Sequence, residues 1–198
     1  MLLDSGAYRA EFDSVTFSSN SATYGAALLA KLGTTFTANS CIFQSNTGHG
    51  TLAKDPINLS GSGGAVTAVY TTGSFTSCTF SSNAADNGAA VYSLSSTLTF
   101  SSCTFKQNVA LKHGGALFTQ YATLTISGGS FTSNNASGNG GAVMAINNAA
   151  TTISSATFLT NAAVNGGGAR IESHQASSPV QLSGNTWKKN FATQSGAG

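Results

Sequence analysis

The sequence predicts an all-β chain wound as a parallel β-helix, a β-solenoid of about seven coils with three short strands each. Three observations predict it. An aromatic-x-x-Asn motif recurs at a near-constant interval. A Gly-x-Ala motif keeps the same interval. Apolar residues between these landmarks alternate with period two.

The aromatic motif reads Phe17-Ser-Ser-Asn20, Phe43-Gln-Ser-Asn46, Phe80-Ser-Ser-Asn83, Phe105-Lys-Gln-Asn108, Phe131-Thr-Ser-Asn134, Phe158-Leu-Thr-Asn161 and Trp187-Lys-Lys-Asn190. Its intervals are 26, 37, 25, 26, 27 and 29 residues, so one coil spans about 26 residues and one carries an insertion of about eleven. Gly-x-Ala followed by an apolar residue appears at Gly25-Ala-Ala27-Leu28, Gly63-Gly-Ala65-Val66, Gly88-Ala-Ala90-Val91, Gly114-Gly-Ala116-Leu117 and Gly140-Gly-Ala142-Val143; Gly167-Gly-Ala169-Arg170 is a variant. A third column lies five residues before the aromatic: Phe12, Phe75, Phe100, Ile126, Ile153 and Leu182. Ala38 breaks it, and Phe36 is placed to compensate. Thr97-Leu98-Thr99-Phe100 and Thr123-Leu124-Thr125-Ile126 alternate as strands do.

A single such coil cannot bury its own apolar residues, so stability must come from stacking on neighbours. Equivalent residues then form columns at about 4.8 Å, and seven coils give a rod about 34 Å tall. The sequence therefore places Phe17, Phe43, Phe80, Phe105, Phe131, Phe158 and Trp187 in an interior stack. Asn20, Asn46, Asn83, Asn108, Asn134, Asn161 and Asn190 form an asparagine ladder beside it.

Composition excludes several functions. Of 198 residues, 8 are Lys or Arg and 6 Asp or Glu, with net charge +2. That is too few cations for a phosphate footprint, so no nucleic-acid partner is expected. With 40% apolar residues the chain is not of the disordered class, and no apolar run reaches the length of a membrane span. Met1-Leu2-Leu3-Asp4 lacks the basic and apolar regions of a secretory signal, so a mature form or a piece of a longer repetitive protein is expected. The chain reads as one domain over residues 1–198, with the insertion loop around 54–62.

Gly-Gly-Ala-[Ile/Leu/Val] alternating with Phe-x-x-Asn resembles the polymorphic outer membrane protein repeat, found in surface and secreted right-handed parallel β-helices. Close matches to both half-motifs occur around residues 63–83, 88–108, 114–134 and 140–161. The resemblance implies a right-handed coil, a secreted, extracellular or cell-surface location, and a role as adhesin, passenger domain or structural protein. This chain lacks the C-terminal membrane barrel of the bacterial autotransported members.

Candidate chemistry is sparse. Cys41, Cys78 and Cys103 share one column, two residues before the aromatic, where Gly129 and Ala156 follow. A small inward position explains them; without a Cys-x-x-Cys pair no metal is expected. His49, His113 and His174 share no spacing and read as turn residues. The acids Asp4, Glu11, Asp13, Asp55, Asp86 and Glu172 show no central cluster, so no enzyme, cofactor or catalytic residue is predicted. Asn58-Leu-Ser60 and Asn135-Ala-Ser137 are glycosylation triplets of the kind that Asn- and Ser-rich chains make by chance. Thr35-x-Thr37, Thr72-x-Ser74, Thr97-x-Thr99, Thr123-x-Thr125 and Ala150-x-Thr152 form outward rows that look like the ice-binding face of some β-solenoids. Thr is equally an ordinary exposed strand residue.

The ends are the most informative region. Ser5-Gly-Ala7-Tyr8 and Ser195-Gly-Ala197-Gly198 fall at the same repeat phase, so a second copy could continue the ladder. Asp4, Arg9, Glu11 and Asp13 sum to −2, while Arg170, Glu172, Lys188 and Lys189 sum to +2. Opposite ends favour head-to-tail contact, which forms a filament when no rotation closes it. The expected function is an extracellular structural protein stacking end to end, with itself as partner. The alternative is an adhesin binding glycan or protein through its faces and the 54–62 loop.

Overall fold

The computed structural model describes residues 1–4, 9–50, 61–173 and 178–197. Among them, 28 strands form four seven-stranded parallel sheets, and none of these residues is helical. Each sheet takes one strand from each of seven coils in coil order. In the fourth coil the strands are Val91–Leu94, Thr97–Ser101, Thr104–Lys106 and Val109–His113, belonging to the first, second, third and fourth sheets in turn. Every strand pairs with those one coil away: Phe80 registers with Phe43 on one side and with Phe105 on the other.

The sequence pattern gave three strands per coil, and the structure adds a fourth. Its inward position is a single alanine, as in Ala85, Ala110, Ala136 and Ala163, which pack with Ala89. One inward residue per strand is too short a run to show alternation.

Coils this tight turn on single residues. In the fourth coil Ser95, Ser102 and Gln107 have φ of 48°, 53° and 56°, and Gly114 has φ 65°. A left-handed non-glycine residue costs about 1–2 kcal/mol. The cost is offset because no backbone donor is lost at the corner: Ser95, Ser102, Gln107 and Gly114 each donate N–H to the next coil, to the carbonyls of Gln120, Ser127, Thr132 and Asn139, at 2.9–3.0 Å. The Gly-Gly-Ala motif has a division of labour. Gly114 takes the left-handed corner, while a Cβ on Gly115 would stand 2.0 Å from the Gly141 carbonyl oxygen. Ala116 is buried in the core.

Aromatic columns run through the core beside an aliphatic one of Leu28, Val66, Val91, Leu117 and Val143. Rings from Phe17 to Trp187 stack with centroids 4.0–4.8 Å apart and planes within 10° of parallel. Phe75 and Phe100 stack beside them at 4.9 Å and meet Phe80 and Phe105 edge to face. Residues 54–60 of the expected insertion loop lie outside the described residues; at its exit Ser62 is buried and bridges to Asn87.

Candidate functional site

The asparagine ladder has a direction. Asn108 is typical. Its Oδ1 accepts from the Nδ2 and the backbone N–H of Asn83, both at 3.0 Å. Its Nδ2 donates back to the Phe80 carbonyl at 3.0 Å and forward to Asn134 Oδ1 at 2.9 Å. Its backbone N–H also donates to Asn134 Oδ1, at 3.1 Å. The same bonds recur from Asn46 to Asn161, so each buried amide is fully satisfied. Ladder donors point from each coil to the next along the chain.

The two outermost coils leave complementary groups. At the first, Asn20 donates to Asn46 Oδ1 from both Nδ2 and N–H, at 2.8 and 3.1 Å. Among the described residues, none donates to Asn20 Oδ1. At the last, Asn190 accepts from Asn161 and donates to the Phe158 carbonyl at 3.1 Å. Among the described residues, nothing accepts its forward donors. One end offers an acceptor, the other offers donors.

The last coil also opens the core. Leu182 is 51% exposed, whereas Ile153, one coil earlier in the same column, is fully buried. Ala169, Ile171, Val180, Leu182 and Trp187 line a hollow of about 350 Å³. At the first coil Met1 and Leu2 are exposed and Phe17 is half-buried.

The eight charged residues picked out from the sequence divide between these two coils, and most are already paired. Arg9 Nε is 2.9 Å from Glu11 Oε1. Asp4 is 3.2 Å from Lys31. Arg170 pairs with Glu172, and Arg170 Nη1 also donates to Asn139 Oδ1 at 3.3 Å. Asp13, Lys188 and Lys189 make no ion pair among the described residues. Asp13 closes a strand of the second sheet, while Lys188 belongs to the third and Lys189 to the corner after it. Summing charge by coil missed the Arg9–Glu11 and Arg170–Glu172 pairing, which their i, i+2 spacing on a common strand face could have shown.

The remaining candidates are structural. Cys41, Cys78 and Cys103 are free and buried, and each thiol donates to backbone carbonyls. Burial pushes the Cys41 thiol up. The Cys103 thiol beside it and then burial push Cys78 up. Asp86 pairs with Lys112 at 2.9 Å. Asp55, Asn58 and His174 lie outside the described residues, and His49 is exposed. His113 is more than a turn residue: it ends a strand, is half-buried, and its Nδ1 accepts the Asn139 N–H at 3.1 Å. Burial holds its pKa below the ordinary histidine value. Among the described residues no group of three His, Cys, Asp or Glu side chains is placed to hold a metal. The Thr rows lie outward on the second sheet, in unbroken register from Thr35 to Thr152. Among the described residues no helix is long and apolar enough to cross a membrane.

Comparison with curated proteins and with solved structures returns no match. A family model for the right handed beta helix region matches residues 2–131 and, in an overlapping second match, 57–198. Together with the seven stacked parallel coils, this shows that the chain belongs to the right-handed β-helix family.

Proposed function

We propose that the protein is a non-catalytic extracellular structural rod, built on repeats of the polymorphic outer membrane protein type, whose copies stack head to tail into a β-helical filament. The observation that carries this reading is the direction of the asparagine ladder. Asn190 of one copy has the donors that Asn20 Oδ1 of the next can accept, and the reverse docking pairs acceptor with acceptor or donor with donor. Apolar burial adds to it. Leu182 and Val180 gain cover when a further coil closes the hollow. Unpaired strand edges at both ends supply the backbone bonds.

Charge has a smaller part than the end sums suggest. Continuing the observed register across the joint sets Asp13 over Ser183, Ser18 over Lys188, and Asp4 over Glu172. No cation meets an acid there. The opposite net charges of the ends act at long range, orienting approach and speeding it at low salt.

Sedimentation velocity across a concentration series tests the reading. The wild-type chain should form larger species as concentration rises. The double variant Val180→Lys, Leu182→Lys places two charges on the open edge and should sediment as a monomer that keeps the wild-type circular dichroism spectrum. A wild-type chain that stays monomeric at high concentration, or a variant that assembles equally well, contradicts it.

A further inference from the structure

The corner between the first and second sheets carries a column of left-handed residues: Leu32, Tyr70, Ser95, Tyr121 and Asn147, with φ between 48° and 53°. Only Asn147 is of a type suited to that conformation; a bulky aromatic is among the least suited. The conformation itself belongs to the coil corner, as at the other corners of the solenoid. Tyr70 and Tyr121 are nevertheless 51% and 54% exposed, so core packing does not account for them.

Beside Tyr70 lies an open groove of about 290 Å³, lined also by Gly33, Thr72, Ser95 and Thr97. A Cβ on Gly33 would meet nothing within 4 Å, so the groove is open on that side. Its floor is fixed by a buried hydrogen bond of 2.9 Å between the hydroxyls of Thr34 and Thr71. No lining residue is charged. The exposed hydroxyls of Thr72 and Thr97 flank the groove.

Tyr70 and Tyr121 are two coils apart, about 9.6 Å at ~4.8 Å per coil. Ser95 between them is too small to obstruct a ligand lying across both rings. That distance matches one disaccharide of an extended β-1,4-linked chain, in which sugars two apart present the same face. The apolar C–H face of a sugar stacks on an aromatic ring, and its hydroxyls suit threonine. The groove has no cation to hold an acidic polysaccharide or a nucleic acid. It also lacks the enclosed apolar anchor pocket of a protein interface.

We infer that this corner binds a neutral, extended β-1,4-linked glycan running parallel to the solenoid axis. Tyr70 and Tyr121 stack on sugars two apart, and Thr72 and Thr97 bond the hydroxyls between. The site is on the side of the rod and does not depend on end-to-end stacking.

Titration calorimetry of the full chain with cellohexaose and chitohexaose tests it, with α-linked maltohexaose and polygalacturonate as contrasts. The wild-type chain should bind at least one of the two β-linked hexaoses and neither contrast. Tyr70→Asn and Tyr121→Asn should each weaken binding about tenfold or more. Their melting temperature should be equal or higher, because asparagine suits the left-handed corner. Tyr70→Phe keeps the ring and should keep binding. No binding of either β-linked hexaose, unchanged binding in the Asn variants, or preference for maltohexaose or polygalacturonate overturns the inference.

Discussion

Phe36 occupies the space beside Gly73: a Cβ built on Gly73 would stand 2.2 Å from Phe36 Cζ. The two residues register with each other across adjacent strands, as Ala38 does with Phe75. Large and small residues are thus exchanged between neighbouring coils, and Phe36 meets Phe75 edge to face at 5.3 Å. The bulk that Ala38 lacks has moved two positions along the strand, and the next coil makes room for it.

This exchange sets up a mutational cycle. Gly73→Leu alone should destabilise by about 2–3 kcal/mol through overpacking, and Phe36→Ala by about 3–5 kcal/mol through the cavity it leaves. The triple variant Phe36→Leu, Ala38→Phe, Gly73→Leu restores the pattern of Leu98 and Phe100. It should return to within about 1.5 kcal/mol of wild type in urea denaturation. Additive losses would show that the two sites are not coupled.

The asparagine column is expected to be intolerant of change. Asn108→Ala removes the acceptor of the Asn83 backbone N–H and of one Asn83 Nδ2 hydrogen, and a donor to the Phe80 carbonyl, in a buried site, at about 1–3 kcal/mol for each group left unpaired. Asn108→Asp is nearly isosteric but cannot donate, and it sets a carboxylate against the Phe80 carbonyl and Asn134 Oδ1. Chemical denaturation should rank wild type above both variants, with Asp at pH 7 no more stable than Ala. An Asp variant of wild-type stability would remove the ladder from the account.

The aromatic, asparagine and Gly-Gly-Ala columns were legible in the sequence because each coil repeats them and bulk or hydrogen bonding fixes their types. The fourth strand was not, since Ala85, Ala110 and Ala136 leave no alternation to read. Nor was the joint. The acids and lysines of the ends can be counted from sequence, but only the strand register shows that Asp13 and Lys188 belong to different sheets. Tyr70 and Tyr121 were passed over because the residue after the first strand varies from coil to coil. Aligning Leu32, Tyr70, Ser95, Tyr121 and Asn147 as a column would have found them.

The register makes a specific electrostatic prediction. Asp4 of one copy falls over Glu172 of the next, so two acids meet at the proposed joint. Glu172→Gln should lower the critical concentration for assembly a few-fold, in keeping with about 0.5 kcal/mol for an exposed charge contact, and the effect should shrink in high salt. Glu11→Gln should change little, because the same register sets Glu11 over the neutral Gln181. Pelleting assays at two salt concentrations measure both; a raised critical concentration for Glu172→Gln would contradict the in-register joint.

Stability should fall in mild acid. Burial depresses the pKa of His113 in the folded protein, so below the ordinary histidine value the unfolded chain binds more protons than the folded one. The stabilisation is present above that value and is lost as pH falls through it, with a slope below the ceiling of about 1.4 kcal/mol per pH unit for one proton. Protonation also removes the acceptor for the Asn139 N–H. Melting temperatures from pH 7.5 to 5 should decline, and His113→Gln should flatten that decline. Equal slopes in the two proteins would exclude His113 as the cause.

Electron microscopy of the purified chain over a concentration series tests the central claim most directly. Stacking in register predicts unbranched filaments whose axial repeat is seven coils, about 34 Å at ~4.8 Å per coil, and whose subunits all point the same way. Short rods that remain dispersed at the highest concentration, or filaments with subunits of alternating direction, would contradict it.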